Sequence, residues 1–108
     1  MSSCLVVDDS PTVRRVIRRI LERLGLTVSE AEHGRNALEA CRRELPDVVL
    51  LDWNMPVMDG LTCLRALRRE HPGHRPVVIF CTTVNELHAI EQALDAGADE
   101  YIMKPFDE

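Results

Sequence analysis

The sequence predicts an α/β domain in which a doubly wound, five-stranded parallel sheet is covered by helices. Short runs of β-branched and aliphatic residues alternate with helical periodicity from one end to the other, the pattern of repeated strand and helix units. No linker or low-complexity stretch interrupts this alternation, and 108 residues allow one domain over 1–108 and exclude a two-domain enzyme. Hydrophobic residues at 45% and charged residues at 29% are the balance of an ordinary folded protein.

The first run, Cys4 to Val7, is short and continuously apolar, which predicts a buried strand ending at Asp8-Asp9. Ser10 and Pro11 follow as N-cap and first helical residue. Val13, Val16, Ile17, Ile20, Leu21 and Leu24 then form a stripe down one helix face, closed by Gly25. Thr27 to Glu32 carries Glu30 and Glu32 on one side and reads as an edge strand with a wet face. Ala37, Leu38, Cys41 and Leu45 outline a second helix that ends before Pro46. Val48 to Leu51 is the next buried strand and again ends on a carboxylate, Asp52.

After the irregular stretch Trp53 to Gly60, Leu61, Leu64 and Leu67 mark a third helix, stopped at His71-Pro72-Gly73. Val77 to Cys81 is a fourth strand leading to Thr82-Thr83. Leu87, Ile90, Ala93 and Leu94 carry a fourth helix finishing at Gly97, and Tyr101 to Met103 is a fifth strand running into Lys104-Pro105. Five strands with four helices leave the count one helix short.

The net charge of −5 argues against general binding to a nucleic-acid backbone. No apolar run approaches the roughly 18 to 20 residues that span a bilayer, and the N-terminus lacks a secretory pattern, so a cytoplasmic protein without membrane contact is expected. Cys4, Cys41, Cys63 and Cys81 have no metal-ligand spacing and read as free, packed thiols. The thirteen basic residues include one lysine, Lys104.

In a doubly wound sheet, ligands bind outside the carboxyl ends of the strands where the strand order reverses. The residues just past those ends are Asp8-Asp9, Asp52, Thr82 and Lys104, so they converge. Carboxylates gathered in one cleft repel each other unless a cation is present, and an oxygen-preferring ion with few protein ligands, Mg²⁺, satisfies them. A carboxylate beside such an ion, faced by an ammonium and a hydroxyl, has the parts for phosphoryl transfer to an Asp nucleophile. Singly, each residue has a plainer reading: Asp8-Asp9 as a helix cap, Asp52 as a turn residue, Lys104 as a solvated lysine.

Asp8-Asp9, Asp52 with Trp53-Asn54-Met55-Pro56-Val57-Met58-Asp59-Gly60, Thr82, Ala96-Gly97-Ala98 and Tyr101 to Pro105 together resemble the receiver domain of two-component response regulators, over almost the whole chain. The resemblance implies strand order 2-1-3-4-5, for which the chemotaxis receiver is a standard example. It implies a closing fifth helix as well, which is expected to be missing or truncated here with Asp107 as candidate N-cap, so that apolar sheet surface beside the first helix would be exposed and favour a homodimer. It also implies a signalling switch, not a metabolic enzyme. Asp52 would accept a phosphoryl group from a phosphohistidine on a sensor histidine kinase or phosphotransfer protein. Mg²⁺ would be held by Asp9, Asp52, the Asn54 backbone carbonyl and Asp8, directly or through water. Thr82 and Lys104 would hold the phosphoryl oxygens, and Tyr101 would change rotamer as Thr82 moves. Asn54 and Val84 would tune the lifetime of the phosphoryl group, with apolar Val84 slowing its hydrolysis. Thr83 departs from the small residue usual after Thr82, and a cis peptide is implied at Lys104-Pro105.

Arg14, Arg15, Arg18, Arg19 and Arg23 line the polar side of the first helix. They are either a solvated face, interrupted by Glu22, or a docking surface for the phosphodonor to which Arg14 and Arg18 would contribute. The downstream target would bind the face of the fourth helix and fifth strand. The motifs look most like stand-alone, chemotaxis-type regulators. The alternatives are the receiver of a longer DNA-binding regulator, a receiver used only for docking, a nucleotide-binding module without a phosphate-binding glycine loop, and a small Mg²⁺-dependent phosphohydrolase. The last usually carries Asp-x-Asp at its first strand, where this chain has adjacent aspartates.

Overall fold

The computed structural model describes residues 2–73, 75–83 and 88–103. Strands and helices alternate as β1 (Ser3–Val7), α1 (Pro11–Arg23), β2 (Thr27–Ala31), α2 (Gly34–Arg43), β3 (Val48–Asp52), α3 (Gly60–Glu70), β4 (Val77–Thr82), α4 (His88–Ala96) and β5 (Glu100–Met103). The strands form one parallel sheet in the order β2-β1-β3-β4-β5. The fold class and strand order are those expected. Connections from β1 run first toward β2 and then, from β3 onward, the other way, so the crevice lies between the ends of β1 and β3.

Alternation along the central strands divides their side chains between two cores. Leu5, Val7, Val49, Leu51, Val78 and Phe80 face α2, α3 and α4 and bury Leu38, Cys41, Cys63, Leu64, Leu67, Ala89 and Ala93. Cys4, Val6, Leu50 and Cys81 face α1 and pack with Ile17 and Val28, while Val48, Ile79 and Ile102 on that side are partly buried. Cores on both faces explain why β1, β3 and β4 are nearly all apolar.

Two expected stripe residues lie elsewhere. Leu24 is the C-cap of α1 and 72% exposed, because Gly25 at φ +89° turns the chain there. The N–H of Leu26 donates to the Leu21 carbonyl at 3.1 Å and that of Gly25 to Glu22 at 3.0 Å, and Leu26 packs on the core in place of Leu24. Leu94 is half exposed, since α4 buries its small residues Ala89 and Ala93 against the sheet. Among the expectations, Leu87, Val84, Lys104 with its peptide to Pro105, and Asp107 lie outside the described residues. The cis peptide among the described residues is Arg75-Pro76.

Side chains tie the opposite end of the sheet together. Arg68 on α3 donates through Nε to the Gly97 carbonyl at 3.0 Å, through Nη1 to Pro76 at 2.8 Å and through Nη2 to Asp99 at 2.8 Å. Asp47 accepts from the Ser3 N–H at 2.8 Å and pairs with Arg75.

All four cysteines are free and buried. Desolvation pushes the Cys63 thiol up to about 12 and those of Cys4 and Cys41 to about 11. Thiolate is the reactive form, so at pH 8 the folded protein is expected to resist a maleimide and to take up label at all four sites in urea. Fast labelling of the native protein, read by intact mass, would contradict this packing.

Candidate functional site

Register brings the polar strand ends together. Val7 lies opposite Leu51, so Asp8 and Asp52 leave the sheet side by side; Asp52 lies opposite Cys81, and Thr82 is the next residue. Asp8 and Asp52 are 2% and 5% exposed and Thr82 is fully buried, whereas Asp9 is exposed. Carboxylate oxygens of Asp8, Asp9 and Asp52 lie within 4.8 Å of one another.

Each group is placed by its local chain. The Asp8 N–H donates to the Ala31 carbonyl at 3.1 Å, which extends the β1–β2 pairing by one residue. Asp8 Oδ1 accepts from the Ser10 N–H at 2.9 Å, and Ser10 Oγ accepts from the Val13 N–H at 3.2 Å as the cap of α1. The acidic pair therefore sits against a helix N-terminus, where negative charge is favoured.

Beyond Asp52, the Trp53 N–H donates to the Cys81 carbonyl at 3.2 Å, and the Gly60 N–H donates to the Trp53 carbonyl at 2.9 Å, closing the loop 54–59. Trp53 is partly buried, its indole edge-on to Phe80 at 5.7 Å and to His88 at 6.2 Å, so it links the end of β3 to the start of α4. Asn54 is exposed. Val57 is 68% exposed with φ +68°, a left-handed conformation that β-branched residues rarely adopt.

Of the two threonines, Thr82 is the one at the strand end. Its Oγ1 is buried without a hydrogen-bond partner among the described residues, and the residue follows Cys81, the register partner of Asp52. Tyr101 lies on β5 opposite Phe80 and is 40% exposed.

The basic face of α1 is less uniform than its spacing suggests. Arg14 and Arg18 both bond Glu30, at 2.9 and 2.8 Å, and Arg18 also pairs with Glu22 at 3.1 Å. The Glu30 carboxyl is held below the usual carboxylate range, by Arg18 first and Arg14 next. Stability from this group is present above its ordinary pKa of about 4.3 and is lost as pH falls through the lowered value. Arg15, Arg19 and Arg23 are exposed with no ion pair among the described residues.

Two caps escaped the sequence analysis. His33 Nδ1 accepts from the Asn36 N–H at 3.3 Å at the start of α2, and Asp59 Oδ1 accepts from the Thr62 N–H at 2.8 Å at the start of α3. Asp59 before the Leu61 periodicity carried a readable N-cap signal; a histidine cap has none of comparable strength.

Three carboxylates within reach of one another, two of them buried, form an oxygen-only donor set that a small hard divalent cation fits. No helix among the described residues is long and apolar enough to cross a membrane.

The family model described as the response regulator receiver domain matches residues 4–108. The chain is 43% identical to the chemotaxis protein CheY1 of Helicobacter pylori, over 94% of this chain and 84% of that one. It is also 43% identical to the DNA-binding transcriptional regulator NtrC of Escherichia coli, covering 94% of this chain and 21% of NtrC, so it spans about a fifth of that relative. Among solved structures, the chemotaxis protein CheY4 of Vibrio cholerae superimposes with a TM-score of 0.91 at 31% identity, covering 99% of this chain and 89% of that one. The strand order, the acidic cluster at its reversal point and these likenesses agree, and the chain belongs to the response regulator receiver domains, the phosphoacceptor switches of two-component signalling.

Proposed function

We propose that Asp52 is the phosphoacceptor and that a histidine kinase or phosphotransfer protein is the donor. Receiver domains take phosphoryl groups from such kinases and bind Mg²⁺ through an acidic cluster. The observation that carries the assignment is the meeting of Asp8, Asp9 and Asp52 at the strand ends, with Thr82 ending the strand that neighbours Asp52. An Asp52 carboxylate oxygen attacks phosphorus in line, the phosphorus–nitrogen bond of the phosphohistidine breaks, and its electron pair stays on the imidazole, which takes up a proton. Asp8, Asp9, Asp52 and the Asn54 backbone carbonyl are the groups that would hold Mg²⁺. When bound, the ion supplies positive charge to the carboxylates and to the phosphoryl oxygens.

Thr82 and Lys104 hold the phosphoryl oxygens, and movement of Thr82 changes the packing of Tyr101 and α4. Phosphorylation thus shifts a two-state equilibrium read by a target at the α4–β5 face. Asn54 and Val84 set the lifetime of the acyl phosphate; an apolar Val84 orients no attacking water, so Val84→Glu is expected to speed its loss. The donor docks over α1 near Arg18, whose side chain is 41% exposed, while Arg14 is turned inward. Chemotaxis and DNA-binding relatives at the same 43% identity support two outputs, target-protein binding and control of an attached DNA-binding segment; the site motifs favour the first. The setting is the cytoplasm.

Incubation with acetyl phosphate and Mg²⁺, followed by intact mass, tests the assignment. Wild type is expected to gain one phosphoryl group, and Asp52→Asn or chelation of Mg²⁺ to prevent the gain. Equal labelling of Asp52→Asn would overturn the site, and steady release of phosphate from simple phosphate esters would favour the phosphohydrolase instead.

A further inference from the structure

Arg14 occupies the second turn of α1 but behaves as part of the acidic site. Its Nη1 donates to the Asp8 carbonyl at 2.6 Å and its Nε to Glu30 Oε1 at 2.9 Å. The side chain is 15% exposed, against 41% for Arg18 one turn later. Glu30 is braced from its other oxygen by Arg18 Nη1 at 2.8 Å. The carbonyl that Arg14 grips belongs to the peptide joining Asp8 to Asp9. The N–H of Asp8 is already given to Ala31 at 3.1 Å, so β2 anchors both backbone polar groups of Asp8, one directly and one through Glu30 and Arg14.

We propose that Arg14, held by Glu30, is a positioning residue that sets the Asp8–Asp9 peptide so that both carboxylates serve one divalent cation. The inference rests on reading Asp8, Asp9 and Asp52 as the cation site. A guanidinium has the two-pronged donor geometry this requires, and a lysine ammonium does not. Two effects of Arg14 have opposite signs. As a nearby positive charge it weakens cation binding, so its loss would tighten binding; as a positioner its loss weakens binding. Groups that orient metal ligands without touching the metal typically change affinity by about tenfold or more when removed.

Titration of the unphosphorylated protein with MgCl2, followed by Trp53 fluorescence, separates the effects because the indole is attached next to Asp52. Arg14→Ala is expected to raise the Mg²⁺ Kd about tenfold, Arg14→Lys to recover little of it, and Glu30→Gln to raise it about threefold. Arg15→Ala removes the same charge from an exposed neighbour without an ion pair among the described residues and is expected to leave Kd within about twofold. Thermal denaturation in EDTA reports any loss of fold separately; a merely structural role would lower the melting temperature and leave the Kd of the folded protein unchanged. An unchanged or tighter Kd in Arg14→Ala, or equal weakening in Arg15→Ala, overturns the proposal. Should Arg14→Ala not fold, Arg14→Lys and Glu30→Gln decide it: weaker binding supports it and wild-type binding overturns it. Asp9→Asn with unaltered Mg²⁺ affinity would remove the cation site itself, an outcome distinct from failure of Arg14 alone.

Discussion

Gly60→Ala is expected to destabilise the protein by about 3 kcal/mol and, under the proposed assignment of Asp52 as phosphoacceptor, to slow its phosphorylation. A Cβ built on Gly60 collides with the Asp52 carbonyl oxygen and lies 3.0 Å from the Trp53 Cα and 3.1 Å from the Asp52 carbonyl carbon. All three are backbone atoms at the end of β3, so no side-chain rotation relieves the clash. Either the first turn of α3 lifts off or Asp52 moves away from the carboxylates with which it clusters. Alanine gains about 1 kcal/mol of helix propensity over glycine, too little to reverse the sign. Gly25→Ala is the useful comparison, because nothing lies within 4 Å of its added Cβ and only the cost of φ +89° remains, about 1 kcal/mol. Urea denaturation checks both; a Gly60→Ala protein within about 1 kcal/mol of wild type would show that the loop 54–59 adjusts without disturbing β3.

Thr82→Val is expected to act on stability and on switching in opposite directions. The Thr82 side chain is fully buried and its Oγ1 has no hydrogen-bond partner among the described residues, an arrangement that costs about 1 to 3 kcal/mol relative to an apolar group of the same shape. Valine keeps the volume and removes the hydroxyl, so the resting protein should melt higher. Thr82→Ala removes volume as well and should melt lower than Thr82→Val. Under the proposed mechanism Asp52 is still phosphorylated in Thr82→Val, but the hydroxyl that follows the phosphoryl oxygen is gone, and the change at Tyr101 should be lost. Thermal melting and the Tyr101 resonances with and without acetyl phosphate measure the two halves. A Thr82→Val protein that is less stable and still switches would place the key hydroxyl elsewhere, with Thr83 the next candidate.

The legible parts of this protein were those written in short-range pattern. Continuous apolar runs stopped by Asp8, Asp52 and Thr82 identified buried parallel strands, and strand ends in a doubly wound sheet must face one crevice. That is why residues 30 to 74 positions apart could be named together before any geometry was known. Leu24 departs from its stripe because Gly25 turns the chain there and ends the apolar face together with the helix.

Period, strand-end chemistry and a specific run of motifs suffice for the elements, the two apolar faces of the sheet and the family to which the chain belongs. Which polar atoms meet depends on how the elements pack. Arg14 and Arg18 have the same spacing signal on α1, yet one grips the Asp8 carbonyl and the other stands at the surface. Gly60 owes its necessity to the backbone of Asp52, and the buried hydroxyl of Thr82 to the strands around it. Helical and strand periods specify the face a side chain occupies, whereas hydrogen bonds depend on distances of a few tenths of an ångström between elements that are remote in sequence.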